Sequence, residues 1–309
     1  TLGIKTSQVR QLYSEVYSRL HAPTPQDAFQ LLVEKKPAVP MCCDQLTEFL
    51  GGGLQPGMIT ELVGEAGVGK TQFCLQSLLK LQLPESLDGL AASAVYISTE
   101  GEFQMRRFEQ IAQAFAKSVV QDTVATRDHF VLRQHADAMV SGLRSNVFLE
   151  SIATPDKFEE LLDRRLPRLL EARARTPIRL VVVDSITALF RFEFGMDEMH
   201  VRSRHLSQAA SALKRLSAHY GFAVLVTNQV SDLMDFSEKA VIPALGLLWS
   251  NCVNTRILLA RPRLQVGDGA LQPTPPKVLR RIAIVFSPDI PNHVANFVVD
   301  EAGVRLVSS

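Results

Sequence analysis

The sequence predicts an α/β fold with a mostly parallel, twisted, doubly wound sheet and an antiparallel extension at its C-terminal end. Three observations carry this prediction. From Met41 onward, short apolar runs of strand length alternate with amphipathic stretches of helix length. One of those runs opens directly into a glycine-rich loop followed by a helix. Beyond residue 255 the helical stretches stop, and strand-like runs follow one another.

Taken in order, residues 1–20 read as a helix, with Val9, Leu12, Val16 and Leu20 at helical spacing. A piece this short forms no core alone; it is the end of a further domain or a helix that docks elsewhere. A second helix starts at Thr24, which caps it, with Pro25 in the first position and Asp27 in the first turn. Pro37 and Pro40 stop it near Lys36. The expected organisation is a helical remnant over 1–22, a linker helix and interaction segment over 23–40, and a core over 41–309. Within the core, strands are expected at 58–63, 94–99, 147–152, 180–184 and 223–228, short apolar runs of the kind buried in parallel sheets. Helices are expected at 70–81, 103–117, 157–173 and 204–219. Strands at 255–260, 278–286 and 295–300 should form the antiparallel extension. The segment 261–277, with Pro262, Gly267, Gly269, Pro273, Pro275 and Pro276, reads as an exposed hairpin loop.

Composition excludes several classes. Hydrophobic residues make up 46% and charged residues 21% of the 309, as in ordinary globular proteins. No apolar run approaches the roughly 18 residues that a membrane helix needs. The start, Thr1-Leu2-Gly3-Ile4-Lys5, has no secretory pattern; without a Met it reads as trimmed. Cys42, Cys43, Cys74 and Cys252 show no metal-ligand spacing and read as reduced thiols of an intracellular protein. With a net charge of +1, any nucleic-acid contact must come from a local patch.

The chemistry centres on Gly64-Glu65-Ala66-Gly67-Val68-Gly69-Lys70-Thr71, which matches G-x-x-x-x-G-K-[ST]. Glycines let the backbone curl so that its N–H groups point at phosphate oxygens, and the next helix presents its positive end. Lys70 is expected on the β- and γ-phosphates of ATP, and the Thr71 hydroxyl on Mg2+. Asp184 closes an apolar strand, where such folds hold magnesium-bound water; many strands also end in Asp without function. Glu100 follows another strand and could orient and deprotonate the attacking water, with Glu65 and Glu102 as rivals. The Asn228-Gln229 pair ends a strand, where its amides would find a γ-phosphate or a neighbouring loop backbone. The Arg-rich stretch 164–179 alternates with acids on an amphipathic helix interrupted by Pro167, and reads as a solvated face.

In order and spacing, these pieces resemble the RecA-type recombinase family, in its eukaryotic and archaeal branch, over roughly residues 40–300. The likeness rests on Leu50-Gly51-Gly52-Gly53-Leu54, Ile59-Thr60-Glu61-Leu62, the stretch from Gly64 through Gln72, Tyr96-Ile97-Ser98-Thr99-Glu100-Gly101, Val183-Asp184-Ser185-Ile186-Thr187-Ala188-Leu189-Phe190-Arg191 and Thr227-Asn228-Gln229-Val230. The resemblance implies a RecA-like P-loop ATPase core preceded by a short remnant of the family's N-terminal helical domain. It also implies roles: Glu100 as the water-activating carboxylate, Arg107 stacked on the adenine, and Gln229 as sensor of the γ-phosphate. Gln72 would complete the nucleotide-contacting set. The loops after Arg191 and after Gln229 correspond to the family's DNA-contacting loops, which brings in Arg191, Arg202, Arg204 and His205. The bland reading of those four is a solvated helix start with local ion pairs.

Departures point to a recombinase paralog rather than the strand-exchange enzyme. The family's Phe-x-x-Ala plug keeps its Ala at Ala28, but its Phe position is Pro25. The loop after Gln229 carries Asp232, Asp235 and Glu238 against Lys239, a poor phosphate binder. Where the family caps a neighbour's ATP with an Asp before Ser-Pro, Phe286 precedes Ser287-Pro288, and Asp289 follows. Two functions are therefore expected to compete. One is an ATP-regulated subunit that assembles with a partner paralog and supports recombinase filaments on single-stranded or branched DNA. The other is an autonomous DNA-dependent ATPase that forms its own filaments. By resemblance the protein is nuclear with some cytoplasmic presence, and hydrolysis is weak and DNA-stimulated.

Overall fold

The computed structural model describes residues 36–124, 129–191, 199–230, 245–261 and 279–307. Contacts divide the chain into two units between Lys36 and Pro37, and the sheet and its helices belong to the unit from Pro37 onward. The helices expected in 1–35, with Pro25 and Ala28, lie outside the described residues, as do 231–244 of the acidic loop and 262–277 of the Gly/Pro-rich segment.

Nine strands make one sheet among the described residues. They are β1 (Ile59–Gly64), β2 (Ser93–Ser98), β3 (Val147–Ser151), β4 (Ile178–Asp184), β5 (Ala223–Gln229), β6 (Thr255–Ala260), β7 (Arg280–Phe286), β8 (Val294–Asp300) and β9 (Gly303–Val307), in the order β3-β2-β4-β5-β1-β6-β7-β8-β9. Pairing is parallel from β3 through β6 and antiparallel from β6 to β9. The expected α/β class with an antiparallel C-terminal extension is what the chain forms. One strand differs: β6, expected in the extension, runs parallel to β1, and the extension begins at β7. The chain leaves β5, crosses β1 and returns in the same direction, so β6 completes the parallel sheet.

Helices cover both faces. Asp44–Phe49 is α1, Lys70–Ser77 α2, Met105–Thr123 α3 and His129–Ser145 α4. Pro155–Glu160 is α5, continued by a π-helical turn (Leu161–Arg165) and by α6 (Leu166–Ala172). Ile186–Arg191 is α7, Met199–Tyr220 α8 and Gly246–Ser250 α9. The expected elements do not include α4 or β9. Pro167 does not interrupt its helix as expected; a wider π turn just before it absorbs the missing N–H and the bulk of the ring. Thr154 caps that helix, its side chain accepting from the Lys157 N–H at 3.4 Å.

Strand alternation sorts the core into two layers. Leu62, Tyr96, Val182 and Leu225 face one layer with Phe73 of α2 and Phe108 and Ile111 of α3. Ile59, Val95, Ile97, Val181, Val183, Val224 and Val226 face the other, with Phe158, Leu166, Phe190, Leu206 and Leu213. This double burial explains why the central strands are apolar throughout. All four cysteines are free thiols. Burial pushes the Cys42 thiol up to about 12, which keeps it protonated and inert.

One residue breaks the apolar pattern. Glu61, in the middle of β1, is 0% exposed. Its register partner on β6 is Arg256, itself 5% exposed, and Arg256 Nε donates to Glu61 Oε2 at 2.6 Å. Asn228 Nδ2 and Trp249 Nε1 both donate to Glu61 Oε1 at 2.7 Å. A carboxylate accepts in several directions and donates none, so three donors satisfy it where water cannot reach. Arg256→Met leaves this charge buried without its cation and is expected to cost about 3–5 kcal/mol. Arg256→Lys, which keeps the charge but not the planar donor set, should fall between that variant and wild type. Urea unfolding midpoints check both; an unchanged midpoint for Arg256→Met would contradict the assignment.

Candidate nucleotide site

The parallel register brings the C-terminal ends of four strands to one edge. Gly64 stands beside Gln229, and Ser98 beside Asp184. At such an edge α/β sheets bind ligands.

From β1 the chain enters the glycine-rich loop. A side chain at Gly64 would put its Cβ 2.5 Å from the Leu259 carbonyl oxygen of β6, so only hydrogen fits. Gly69 takes φ 116°, a left-handed conformation, and delivers the chain into α2. No side chain caps the α2 N-terminus, which leaves its first N–H groups for an anion. Lys70 curls back over the loop, Nζ donating to the Gly64 carbonyl at 2.7 Å and the Glu65 carbonyl at 2.9 Å. Burial lowers its pKa, while the negative charges of Asp184 and Glu100 pull it back up.

Asp184 gathers three hydroxyls. Thr71 Oγ1 and Tyr96 Oη donate to its Oδ2 at 2.8 and 2.6 Å, and Thr227 Oγ1 to its Oδ1 at 2.5 Å. Burial, and then the charge of Asp184, raise the Tyr96 pKa, so the phenol remains a donor. The carboxylate is thereby fixed against the first turn of α2. Thr71 and Asp184 offer hard oxygen donors side by side, and that donor set fits a magnesium ion.

Glu100 lies just beyond β2. Its Oε1 accepts from Ser185 Oγ at 3.1 Å and from Gln229 Nε2 at 3.3 Å. Among the three rival carboxylates, Glu100 is the one joined to Gln229. The Asn228-Gln229 pair divides its labour. Asn228 is buried and turned to the core, where its Nδ2 meets Glu61 and its Oδ1 accepts from Thr187 Oγ1 at 2.6 Å. Gln229 faces the site edge, and its backbone N–H donates to the same Thr187 oxygen at 3.1 Å.

Arg107, in the first turn of α3, joins two parts of the structure. Its Nε donates to Gln72 Oε1 of α2 at 2.5 Å, and its Nη2 to the Asp300 carbonyl of the β8–β9 turn at 2.5 Å. Its Nη1 donates to Gln110 and to the Glu301 carbonyl, so four of its five N–H groups are engaged in the plane; a stacked base would use the flat faces. Arg261, at the end of β6, reaches the glycine-rich loop from the other side, with Nη2 3.5 Å from the Ala66 carbonyl.

The residues expected on nucleic acid are placed less uniformly. Arg191 ends α7, but its side chain and residues 192–198 lie outside the described residues. Arg202, Arg204 and His205 lie on the first turns of α8. Arg204 is exposed, whereas His205 Nδ1 lies 2.6 Å from Glu159 Oε1 on α5, a hydrogen-bonded contact between the two helices. Asp289 is exposed, and Phe286 lies under the Arg256 guanidinium at 4.9 Å. Sequence reasoning missed Tyr96 and Thr227 as partners of Asp184 and Ser185 as a partner of Glu100; it also missed Thr187, which lies behind the site on the Asn228-Gln229 pair. Ser185 and Thr227 stand directly beside Asp184 and Asn228 in the sequence, which is a local signal; Tyr96 lies within β2 and Thr187 on α7, with no such neighbour.

Comparison with known proteins adds an independent line. The sequence profile of the Rad51 family matches residues 38–306. The chain is 32% identical over 305 residues to the DNA repair protein XRCC3 of Mus musculus, covering 94% of this chain and 81% of that protein. It is 30% identical over 293 residues to the DNA repair protein XRCC3 homolog of Arabidopsis thaliana, covering 86% of this chain and 92% of that protein. It is 34% identical over 273 residues to the XRCC3 of Bos taurus, covering 85% of this chain and 73% of that protein. Within the sequence, a likeness to the X-ray-repair cross-complementing paralog rests on Phe190-Arg191-Phe192-Glu193-Phe194, Arg202-Ser203-Arg204-His205-Leu206, the stretch from Pro243 through Asn251, and Ser287-Pro288-Asp289-Ile290-Pro291. The chain belongs to the Rad51 family, on the side of its recombinase paralogs.

Proposed function

We propose that this chain binds ATP with Mg2+ at Gly64–Thr71 and works as a nucleotide-regulated recombinase paralog in homologous recombination repair. One observation carries the reading: Thr71 is bonded to Asp184 while Glu100 is bonded to Gln229, at one sheet edge beside the glycine-rich loop. Loop N–H groups and the Lys70 ammonium hold the phosphates, while Arg107 stacks on the base and Gln72 orients Arg107. Thr71 directly, and Asp184 through water, would hold the ion, which when bound neutralises phosphate charge. Glu100 accepts the proton of the attacking water, and Gln229 reads whether the γ-phosphate is present.

The protein assembles with another recombinase paralog, and together they support recombinase filaments on single-stranded or branched DNA. It acts in the nucleus, with some cytoplasmic presence, and hydrolyses ATP slowly with stimulation by DNA. Support comes from the names of its relatives, which are DNA repair proteins, from Pro25 in the plug position and from the acidic loop after Gln229. The proposed organisation is an N-terminal remnant over 1–22, a linker segment over 23–40 and the ATPase core over 41–309. Arg191, Arg202 and Arg204 are the proposed DNA contacts; His205 is better placed to hold α8 on α5.

Lys70→Ala is expected to abolish ATP binding in equilibrium dialysis, because the loop loses its only ammonium. Glu100→Gln should keep binding and slow hydrolysis by about 100-fold or more, as expected for loss of a general base; equal turnover in wild type and variant would show that Glu65 or Glu102 serves instead. Co-expression with candidate paralogs should yield a complex that depends on ATP. A chain that binds no paralog, yet by itself turns over ATP strongly with single-stranded DNA, would favour the autonomous strand-exchange reading.

A further inference from the structure

The nucleotide site does not account for Glu61. This carboxylate lies three residues before Gly64 on the same strand, fully buried, where an apolar residue would fit the surrounding sheet. Its partners explain its position better than stability does. Asn228 is the residue before Gln229, and Trp249 lies on α9, beyond residues 231–244. Arg256, held by the same carboxylate, also donates through Nη2 to Ser250 Oγ of α9 at 3.1 Å. One buried group thus grips the chain at the end of β5 and again on α9.

A continuous line of hydrogen bonds joins this group to the site. Glu100 accepts from the Gln229 side chain, and the Gln229 N–H donates to Thr187 Oγ1. Thr187 Oγ1 donates to Asn228 Oδ1, Asn228 Nδ2 donates to Glu61 Oε1, and that oxygen also accepts from the Trp249 indole. Thr187, Asn228 and Glu61 are 1%, 0% and 0% exposed, so water does not substitute for the links among them, while the Glu100–Gln229 link lies at the surface, where a ligand reaches it. A shift of Gln229 therefore has to be taken up by Thr187 and Asn228, and Glu61 passes it to α9 because both oxygens are committed.

We infer that Glu61 is a positioning residue, which couples the occupancy of the phosphate loop, read by Gln229, to the placement of α9 through Thr187, Asn228 and Trp249. The inference rests on the nucleotide reading proposed above. It differs from a purely structural role in that the indole environment should change with nucleotide state.

The chain contains one tryptophan, so its emission reports Trp249 alone. The experiment compares indole emission of the full chain with Mg2+ and either ADP or a non-hydrolysable ATP analogue, while binding is measured separately by equilibrium dialysis. Wild type should bind both nucleotides and show different emission in the two states. Thr187→Val removes the shared hydroxyl but leaves the three donors on Glu61; it should bind nucleotide within about threefold of wild type and lose roughly half or more of the emission difference. Thr187→Ser, which restores a hydroxyl, should regain the difference. Gln229→Ala should lose it from the other end of the line. An emission difference unchanged in Thr187→Val or in Gln229→Ala, or nucleotide bound by wild type with no emission difference, overturns the coupling while leaving the nucleotide site standing. Failure of wild type to bind either nucleotide in dialysis overturns both.

Discussion

Where the parallel strands end decides everything else in this molecule. Register between β1 and β5 sets Gly64 beside Gln229, and register between β2 and β4 sets Ser98 beside Asp184. Those are backbone facts, settled by hydrogen bonds that any sequence could make. The side chains then need only be the right type at the last position or just past it. Lys70, Thr71, Glu100, Asp184 and Gln229 come from four separate stretches of sequence, yet they share one edge because four strands stop together. The two apolar layers that bury the sheet on both faces hold that alignment rigid.

Against this apolar background, charge is used sparingly and in pairs. Lys70 is drawn down by burial and back by Asp184 and Glu100. Asp184 is held by hydroxyls on three sides, and Glu61 by an amide, an indole and a guanidinium. In each case the carboxylate is fixed by donors from different elements, so its position reports on several strands and helices at once. A site built this way is preorganised, and mechanically connected to the sheet beneath it.

Much of this was legible in the sequence. The apolar runs of the parallel strands read clearly because both faces are buried, and the phosphate-loop pattern named Lys70 and Thr71 outright. Places at strand ends singled out Glu100, Asp184 and the Asn228-Gln229 pair as candidates, and the resemblance gave Glu100 and Gln229 their expected roles. What escaped did so for physical reasons. The helix α4 buries only Ala136 and Leu143 fully and leaves Leu132, Met139 and Val140 half-buried, so its apolar stripe mixes small and half-covered residues; their helical spacing was readable all the same. The strand β9 is five residues long and half exposed. The direction of β6 depends on how the chain crosses β1, which no local pattern records. Tyr96, Thr187 and Thr227 look like ordinary strand or helix residues until their hydroxyls are seen to meet Asp184 and Asn228. Glu61 and Arg256 were detectable in principle, as lone opposite charges in two otherwise apolar strands, but only the register shows that they are neighbours.

The tight approach at Gly64 has a consequence for how such a chain can change over generations. The atom that forbids a side chain there is the Leu259 carbonyl oxygen, a group that every residue carries. No replacement at 259 can make room, so position 64 has no partner with which to co-vary. The Val68 side chain crowds the same point, with Cγ1 2.8 Å from it, but even a smaller residue at 68 would leave the carbonyl in place. Geometry would require a glycine at position 64 even in a descendant whose loop bound nothing.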